Sequence, residues 1–595
     1  MQSTNHDAGG VDWDIVIAGA GPTGLTLANH LGTLGVRTLV IEKLPTLIDY
    51  PRGVGVDDEA LRTFQAAGLV DAVRRHTVPN QVMSFVDGKG RTLASIAPTA
   101  QPFGWPRRNG FIQPLVDREL ATGLSRFPHV ALQFKRSMAG FTETADGIVV
   151  QVQPVDDAGQ PQGPAQPVRA HYLVGADGGR SPVRTTLGLP FDGKSESTKW
   201  LVIDIADEPV GTPNVRFVLD DDFPYVELAL PHGVRRYEFM VPQGADEAEY
   251  ERPERIAQLL SRVLPGVKPN VIRNRVYMHH ARIAPTFRKG RALLAGDAAH
   301  LMPVWQGQGF NTGIRDAANL AWKLALVVQG KAGDALLDTY TQERHAHAGA
   351  MIDLSVLVGK IFVPSNPLAR VARNVFGPVL SRIGPVRRYI AEMRFKPMPF
   401  FADGVVAHPE GRADPEGVVG KVFMQPRVAG ADGRPVRLDD AIGLRFAMIA
   451  WSARPDAWID AEARRTMDRL DMVPVVVRPD CQALDLDPPA AGVVLADVEG
   501  AFKRFFDTAP GSIVILRPDR VVAAVCSPHQ LAATLRELAG RLRLREGVPS
   551  LSDGASPLKD SAPSPQDAGG RTQPIDRPQP EPAIGGALAS AGSGA

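Results

Sequence analysis

Asp14-Ile15-Val16-Ile17-Ala18-Gly19-Ala20-Gly21-Pro22-Thr23-Gly24 is the stretch that decides the fold. An apolar run turns sharply on glycine and enters a helical pattern near Leu25, giving the order strand, glycine-rich turn, helix. Each glycine has its own task. Gly19 permits the tight turn, Gly21 lets the backbone approach a pyrophosphate, and Gly24 lets helix and strand pack closely. The helix N-terminus then offers unpaired N–H groups to phosphates. Arg37 to Ile41 reads as a second strand ending in Glu42, where an acidic side chain would accept hydrogen bonds from a ribose diol. Glycine-rich turns also arise for purely conformational reasons, so the fingerprint takes its meaning from strand, helix and acid falling in register.

Two further signatures lie downstream. LVGADGGRSPVR carries Asp177-Gly178 at the end of an apolar run, and ALLAGDAAH repeats the pattern with Gly296-Asp297. An acid at the carboxyl end of a strand stands where open α/β sheets place ligands. Asp177 is open to a plainer reading as a helix cap, because Ser181-Pro182 suits a helix start. Asp297 can hydrogen-bond a polyol hydroxyl. His300 reads as a packing or capping residue before an acid-base one. Gly307-Gln308-Gly309 would let backbone N–H groups lie against a planar ring. Taken with the N-terminal fingerprint, these two motifs point to a flavin.

At 595 residues the chain is too long for one core and should hold two to four domains. A formal net charge of +1 gives no global field to draw nucleic acid or an anionic membrane, so neither is expected as a partner. Cys481 and Cys526 are the only cysteines, which rules out a disulfide framework and favours a reducing, cytoplasmic setting. Both read as small buried hydrophobes. No basic-then-apolar leader opens the sequence, and no apolar run reaches membrane-spanning length. No metal site is expected.

Composition and periodicity divide the chain further. Residues 12–190 and 275–400 read as one discontinuous nucleotide-binding domain, interrupted at 191–274 by β-like runs such as YVELAL and RRYEFMV that form a separate sheet. A small α/β domain follows over 415–548. Residues 1–11 form an N-terminal tail. From Pro549 to residue 595 the composition turns to Pro, Ala, Gly, Ser and Asp, and a disordered tail is expected.

The order GxGxxG, DG, GD resembles the single-component FAD-dependent aromatic hydroxylases, the class A flavoprotein monooxygenases. The stretches LIDYPRGVGVDDEALR, FGWPRRNGFIQPLVDREL, MPVWQGQGFNTGIRDAANLAWKLAL and MRFKPMPF are similar to the members that act on phenylpropionates, and the likeness covers residues 12 to 545. It implies an α/β fold: a Rossmann-like FAD-binding domain with an inserted β-sheet substrate domain, plus a C-terminal thioredoxin-like α/β domain. That last domain lacks Cys-x-x-Cys, so no redox role is expected for it. The resemblance also implies bound FAD, NADH or NADPH as co-substrate, and O2 with a small aromatic substrate as partners. A homo-oligomer is left open. Ortho-hydroxylation of a phenolic acid, foremost 3-(3-hydroxyphenyl)propionate or 3-hydroxycinnamate, would be the activity; another phenol or a polyketide, or flavin reduction without oxygen insertion, are the alternatives.

Residue by residue, the resemblance assigns Gly19, Gly21, Pro22 and Gly24 to the FAD pyrophosphate and Glu42 with Lys43 to the adenosine ribose. Arg52 and Gln113 would lie near the flavin, Asp177 would serve FAD and the nicotinamide cofactor, and Gly296-Asp297 the ribityl chain. Pro303, Gly307, Gly309 and Asn311 would line the isoalloxazine. One departure matters: relatives often carry an acid two positions after Arg52, where this chain has Val54. The general base is therefore unassigned, with Tyr277, His279, His280 and Arg282 as candidates on the strand leading into the GD motif. A phenolate is a far better ring nucleophile than a phenol, so some acceptor at the hydroxyl is required. A substrate carboxylate needs a cation, for which Arg108, Arg235, Arg236 and Arg282 are candidates.

Overall fold

The computed structural model describes residues 11–546, apart from 51, 208, 221, 243, 363–365, 409–416, 431, 453–454 and 483–491. The expected tails at 1–11 and 549–595 fall outside the described residues but for Val11.

β1 (Trp13–Ala18) forms the fingerprint strand, α1 (Pro22–Thr33) the helix and β2 (Thr38–Glu42) the second strand. Ile15, Val16 and Ile17 are fully buried, because both faces of this parallel sheet are covered. β1 lies between β2 and the strand Gln166–Gly175, and the latter pairs in turn with Ala292–Leu294, all in parallel. The register sets Ala18 opposite Gly175 and Gly175 opposite Leu294. The three sequence signatures therefore leave three adjacent strands side by side at one carboxyl edge. That is where a doubly wound sheet holds its ligand.

A second, mostly antiparallel sheet runs in the order His300–Leu301, Asn270–Ile283, Asp192–Ala206, Val234–Val241, Tyr225–Leu230, Val215–Leu219, Met83–Asp87 and Thr92–Ile96. The segment 191–274 read from the sequence therefore falls short of this sheet at both ends. It cuts the strand Asn270–Ile283, and it omits Met83–Asp87, which pairs in parallel with Val215–Leu219. A parallel pairing between strands so distant in sequence leaves no trace in local alternation.

Helices Gln308–Val328 and Asp338–Phe362 follow the GD motif. A third sheet of seven strands holds Ala447–Trp451, Val473–Pro479 and Val493–Asp497 in parallel, flanked by antiparallel strands, in agreement with an α/β domain of thioredoxin-like character. It is tied to the nucleotide-binding body by buried ion pairs. Arg62 grips both oxygens of Asp439 at 2.6 and 2.8 Å, and Arg517 grips Glu343 with two bonds of 2.8 Å. Cys526 is buried, but Cys481 is exposed in a short turn after Val473–Pro479, contrary to the buried reading of both.

Candidate active site

The carboxyl edge of the first sheet and one face of the second enclose a single cavity of about 1180 Å³. This exceeds the roughly 1,000 Å³ at the upper end of single-ligand pockets, leaving room for a dinucleotide and a small aromatic together.

At the dinucleotide end the glycines divide their tasks physically. A Cβ on Gly19 (φ +108°) would lie 2.3 Å from the Ala176 carbonyl oxygen, and one on Gly24 would lie 2.1 Å from that of Gly19. Both are fixed by backbone packing. A Cβ on Gly21 would meet nothing within 4 Å, and no side chain caps the helix there, so the N–H groups of the first turn of α1 face open cavity. Glu42 also lines the cavity, but its carboxylate is partly spent on the turn itself, accepting from Ala20 N at 2.9 Å and Leu44 N at 3.0 Å. Lys43 and Pro22 line the same end.

Further along, Asp177 accepts from Val183 N at 3.0 Å, which realises the capping reading, yet it also borders the cavity. Burial raises its carboxyl above the ordinary range. Asp297 borders the cavity and has no protein hydrogen bond among the described residues. Burial raises its carboxyl too, with Arg52 pulling the other way. Gly296, at φ +61°, gives its N–H to Asp316, not to the cavity. Gln113 holds the Gly53 N–H at 2.8 Å and so fixes the loop that carries Arg52, whose guanidinium donates to the Tyr50 hydroxyl at 3.1 Å.

Gly307 and Gly309 line the cavity; Pro303 does not, being buried behind Met302 and Val304, which do. Asn311 reaches the cavity wall but is fully used as a clamp, donating to the Gly55 and Gly307 carbonyls and accepting from Asp57 N. His300 is away from the cavity, its Nε2 2.7 Å from Asp316 Oδ2 within a buried group that includes Arg344. That is the packing role. An uncapped helix start, an unpartnered Asp297 and an open strip of glycine backbone are the features an FAD requires, and the residues fit it.

The other end of the cavity is walled by the second sheet. Alternation puts Trp200, Val202, Glu238, Tyr277 and His279 on one face, with Val215, Phe217, Val226 and Leu228 beyond them. His279 stacks on Trp200 (ring centroids 6.2 Å apart, planes 7° apart) and meets Trp305 edge-on. Tyr277 donates to Glu238 Oε2 at 3.1 Å. Burial, then Glu238, raises the Tyr277 phenol well above its ordinary value, and burial raises the Glu238 carboxyl against the pull of Arg236. His280 and Arg282 both engage Ser195 Oγ at 2.9 and 3.0 Å, at the more exposed margin. Glu238 escaped sequence reading. The only available signal was its place in RRYEFMV, in phase with Arg236 and thus on the same face.

The sequence matches the FAD binding domain family over residues 12–355 and the HcaD C-terminal domain family over 420–541. It is 51% identical over 518 residues to a 3-(3-hydroxy-phenyl)propionate/3-hydroxycinnamic acid hydroxylase of Mycobacterium sp. (strain JLS), covering 87% of this chain and 89% of the relative. A protein of the same name from Paraburkholderia xenovorans (strain LB400) is 47% identical over 573 residues, covering 89% and 91%. Among solved structures, the flavin-dependent monooxygenase PieE with FAD and substrate superposes with a TM-score of 0.73 at 20% identity, covering 90% of this chain and all of that one. Aklavinone-11 hydroxylase with FAD and aklavinone gives 0.70 at 24% identity, over 89% and 99%.

Proposed function

The chain belongs to the FAD-dependent aromatic hydroxylases, the class A flavoprotein monooxygenases, and from that premise we propose that it ortho-hydroxylates a phenolic acid of the 3-(3-hydroxyphenyl)propionate and 3-hydroxycinnamate type to the catechol, using O2 and NADH in the cytoplasm. The names of relatives about half identical over nearly nine-tenths of the chain support the substrate. The observation that carries the chemistry is the hydrogen-bonded Tyr277–Glu238 pair, which faces the cavity beside the aromatic rings of Trp200, His279 and Trp305.

Bound FAD, once reduced, supplies the electrons and the O2 chemistry. In this reading the open first turn of α1 with Gly21 receives the pyrophosphate, Asp297 the ribityl hydroxyls, and Gly307 to Gly309 the ring edge. Gln113 keeps the Arg52 loop in place through Gly53. Tyr277, already donating to Glu238, presents its oxygen lone pairs to the substrate hydroxyl. A proton leaving the substrate is taken at Tyr277 Oη as the tyrosine's own proton passes to Glu238 Oε2, so the ring gains phenolate character while no net charge is created at the tyrosine. Trp200, His279 and Trp305, packed against one another face-on and edge-on, form an aromatic wall that would exclude water and offer faces and edges to the substrate ring.

Substrate-dependent NADH and O2 consumption with stoichiometric catechol is the direct test. Slow oxidation alone and fast oxidation with 3-(3-hydroxyphenyl)propionate is the expected result. A catechol formed only from an unrelated phenol would remove the substrate reading and leave the class.

A further inference from the structure

We propose that Arg108 binds the substrate's carboxylate and so selects phenolic acids over neutral phenols; the proposal rests on the substrate reading above. Arg108 lines the cavity, and its Nε is shut off from solvent without an acceptor. Among the described residues no hydrogen bond, ion pair or ring contact engages its guanidinium, and burial alone, with no neighbouring acid to offset it, lowers it to about 10. It is still a full cation at neutral pH. A desolvated guanidinium with no counter-charge is costly to keep, and a planar carboxylate accepting two parallel N–H bonds is the ligand its geometry suits.

The three other arginines considered for the carboxylate already have partners, and Arg275, which also lines the cavity, lies over the Tyr50 ring at 5.6 Å. Arg236 is held by both oxygens of Asp204 at 2.7 and 2.9 Å, Arg235 donates to the Thr212 carbonyl at 2.6 Å, and Arg282 is bonded to Ser195. Arg107, next in sequence and also at the cavity, donates to the Glu392 carbonyl at 2.6 Å and lies 3.8 Å from Asp58.

Position agrees with charge. The Arg108 carbonyl accepts from Gln81 N at 3.1 Å, and the Gln81 side chain is bonded to the Ala229 carbonyl of the second sheet at 2.6 Å. Arg108 is thereby anchored to the sheet that carries Tyr277 and Glu238, not to the glycine-rich turn. A substrate with an acid at one pole and a phenol at the other would meet a cation and a proton acceptor in one cavity. A neutral phenol would leave the cation unpaired.

The test compares Arg108→Met and Arg108→Lys with wild-type holoenzyme. Binding is read from flavin absorbance changes with 3-(3-hydroxyphenyl)propionate, its carboxamide and 3-propylphenol, and FAD content is measured on each sample. Wild type should bind the acid on the order of 100-fold more tightly than the two neutral analogues, as expected for a buried charged pair. R108M should lose most of that preference while keeping FAD and its affinity for 3-propylphenol, and R108K should keep part of it. Acid binding unchanged in R108M, with hydroxylation intact, would overturn the role of Arg108 and spare the substrate reading. A wild type that does not distinguish the acid from its carboxamide would overturn the role without any variant. A wild type that hydroxylates neutral phenols but binds no acid would remove both. Loss of FAD in R108M with R108K unaffected in acid preference would assign Arg108 to the cofactor and also overturn it.

Discussion

Tyr277 and Glu238 lie on strands that flank Asp192–Ala206 on its two sides, and the tyrosine hydroxyl reaches diagonally across that strand to the carboxylate at 3.1 Å. Trp200 is opposite Tyr277 and Val202 opposite Glu238, so the pair shares the cavity face with both. The hydrogen bond leaves the tyrosine oxygen's lone pairs free for a second partner.

If this couple takes the substrate proton, Tyr277→Phe should lower kcat by roughly 10²–10⁴-fold while changing substrate affinity far less. Glu238 must be ionised to receive the proton, and its carboxyl is raised by burial. Activity should therefore fall as pH drops through that raised value, and Glu238→Gln should lose this acidic limb together with most of the rate. A kcat–pH profile in Y277F with the wild-type limb and rate would remove the couple from the mechanism.

Among the described residues Asp297 has no hydrogen-bond partner and borders the cavity, which is the position proposed above for holding the ribityl hydroxyls. Asp297→Ala should weaken FAD retention by about 10- to 100-fold, the worth of a hydrogen bond to a charged group. The apoprotein should melt no lower than wild type, since a carboxyl raised by burial is a group the fold does not favour ionised. Equilibrium dialysis of FAD and apoprotein melting curves would check both halves. Unchanged FAD affinity would take Asp297 out of the site.

How much of this was visible beforehand follows from how local each feature is. Gly19, Gly24 and Gly296 announce themselves because positive φ or close backbone approach restricts the residue type, and the three motifs could be read one by one. Their convergence depends on the Ala18–Gly175–Leu294 register, which the resemblance implied and local pattern did not. Asn311 fell in the right region for a different reason, since it clamps the 55–57 loop. Glu238, the free state of Arg108 and the strand Met83–Asp87 depend on partners far along the chain. Side-chain periodicity carries no information about those.

The C-terminal sheet should detach before the flavin body unfolds when Asp439 is removed. Asp439→Ala leaves Arg62 and Arg520, both buried, without their shared counter-charge, at a cost of about 3–5 kcal/mol. None of these residues lines the cavity. Calorimetry should therefore show an earlier, separate transition, with FAD content at low temperature preserved. A single unshifted transition would mean that other contacts hold the sheet.

Glu343 provides the acid-sensitive counterpart. It is buried between Arg517, Lys323 and Asn319, at 2.8, 2.8 and 2.7 Å. Burial pushes its carboxyl upward, but Arg517 and Lys323 outweigh that and hold it at about 2. The folded value is thus below the ordinary unfolded one of about 4.3, so the stabilisation is fully present above that pH and is lost as pH falls towards 2. The displacement corresponds to ~3 kcal/mol at neutral pH. Glu343→Gln should lose that at pH 7, because two buried cations then face a neutral amide, and its stability should change less than wild type's as the pH is lowered below about 4. Urea unfolding of both proteins at neutral and acid pH would show the two curves approaching each other under acid. A gap that stays constant with pH would mean that Glu343 is not ionised in the folded protein.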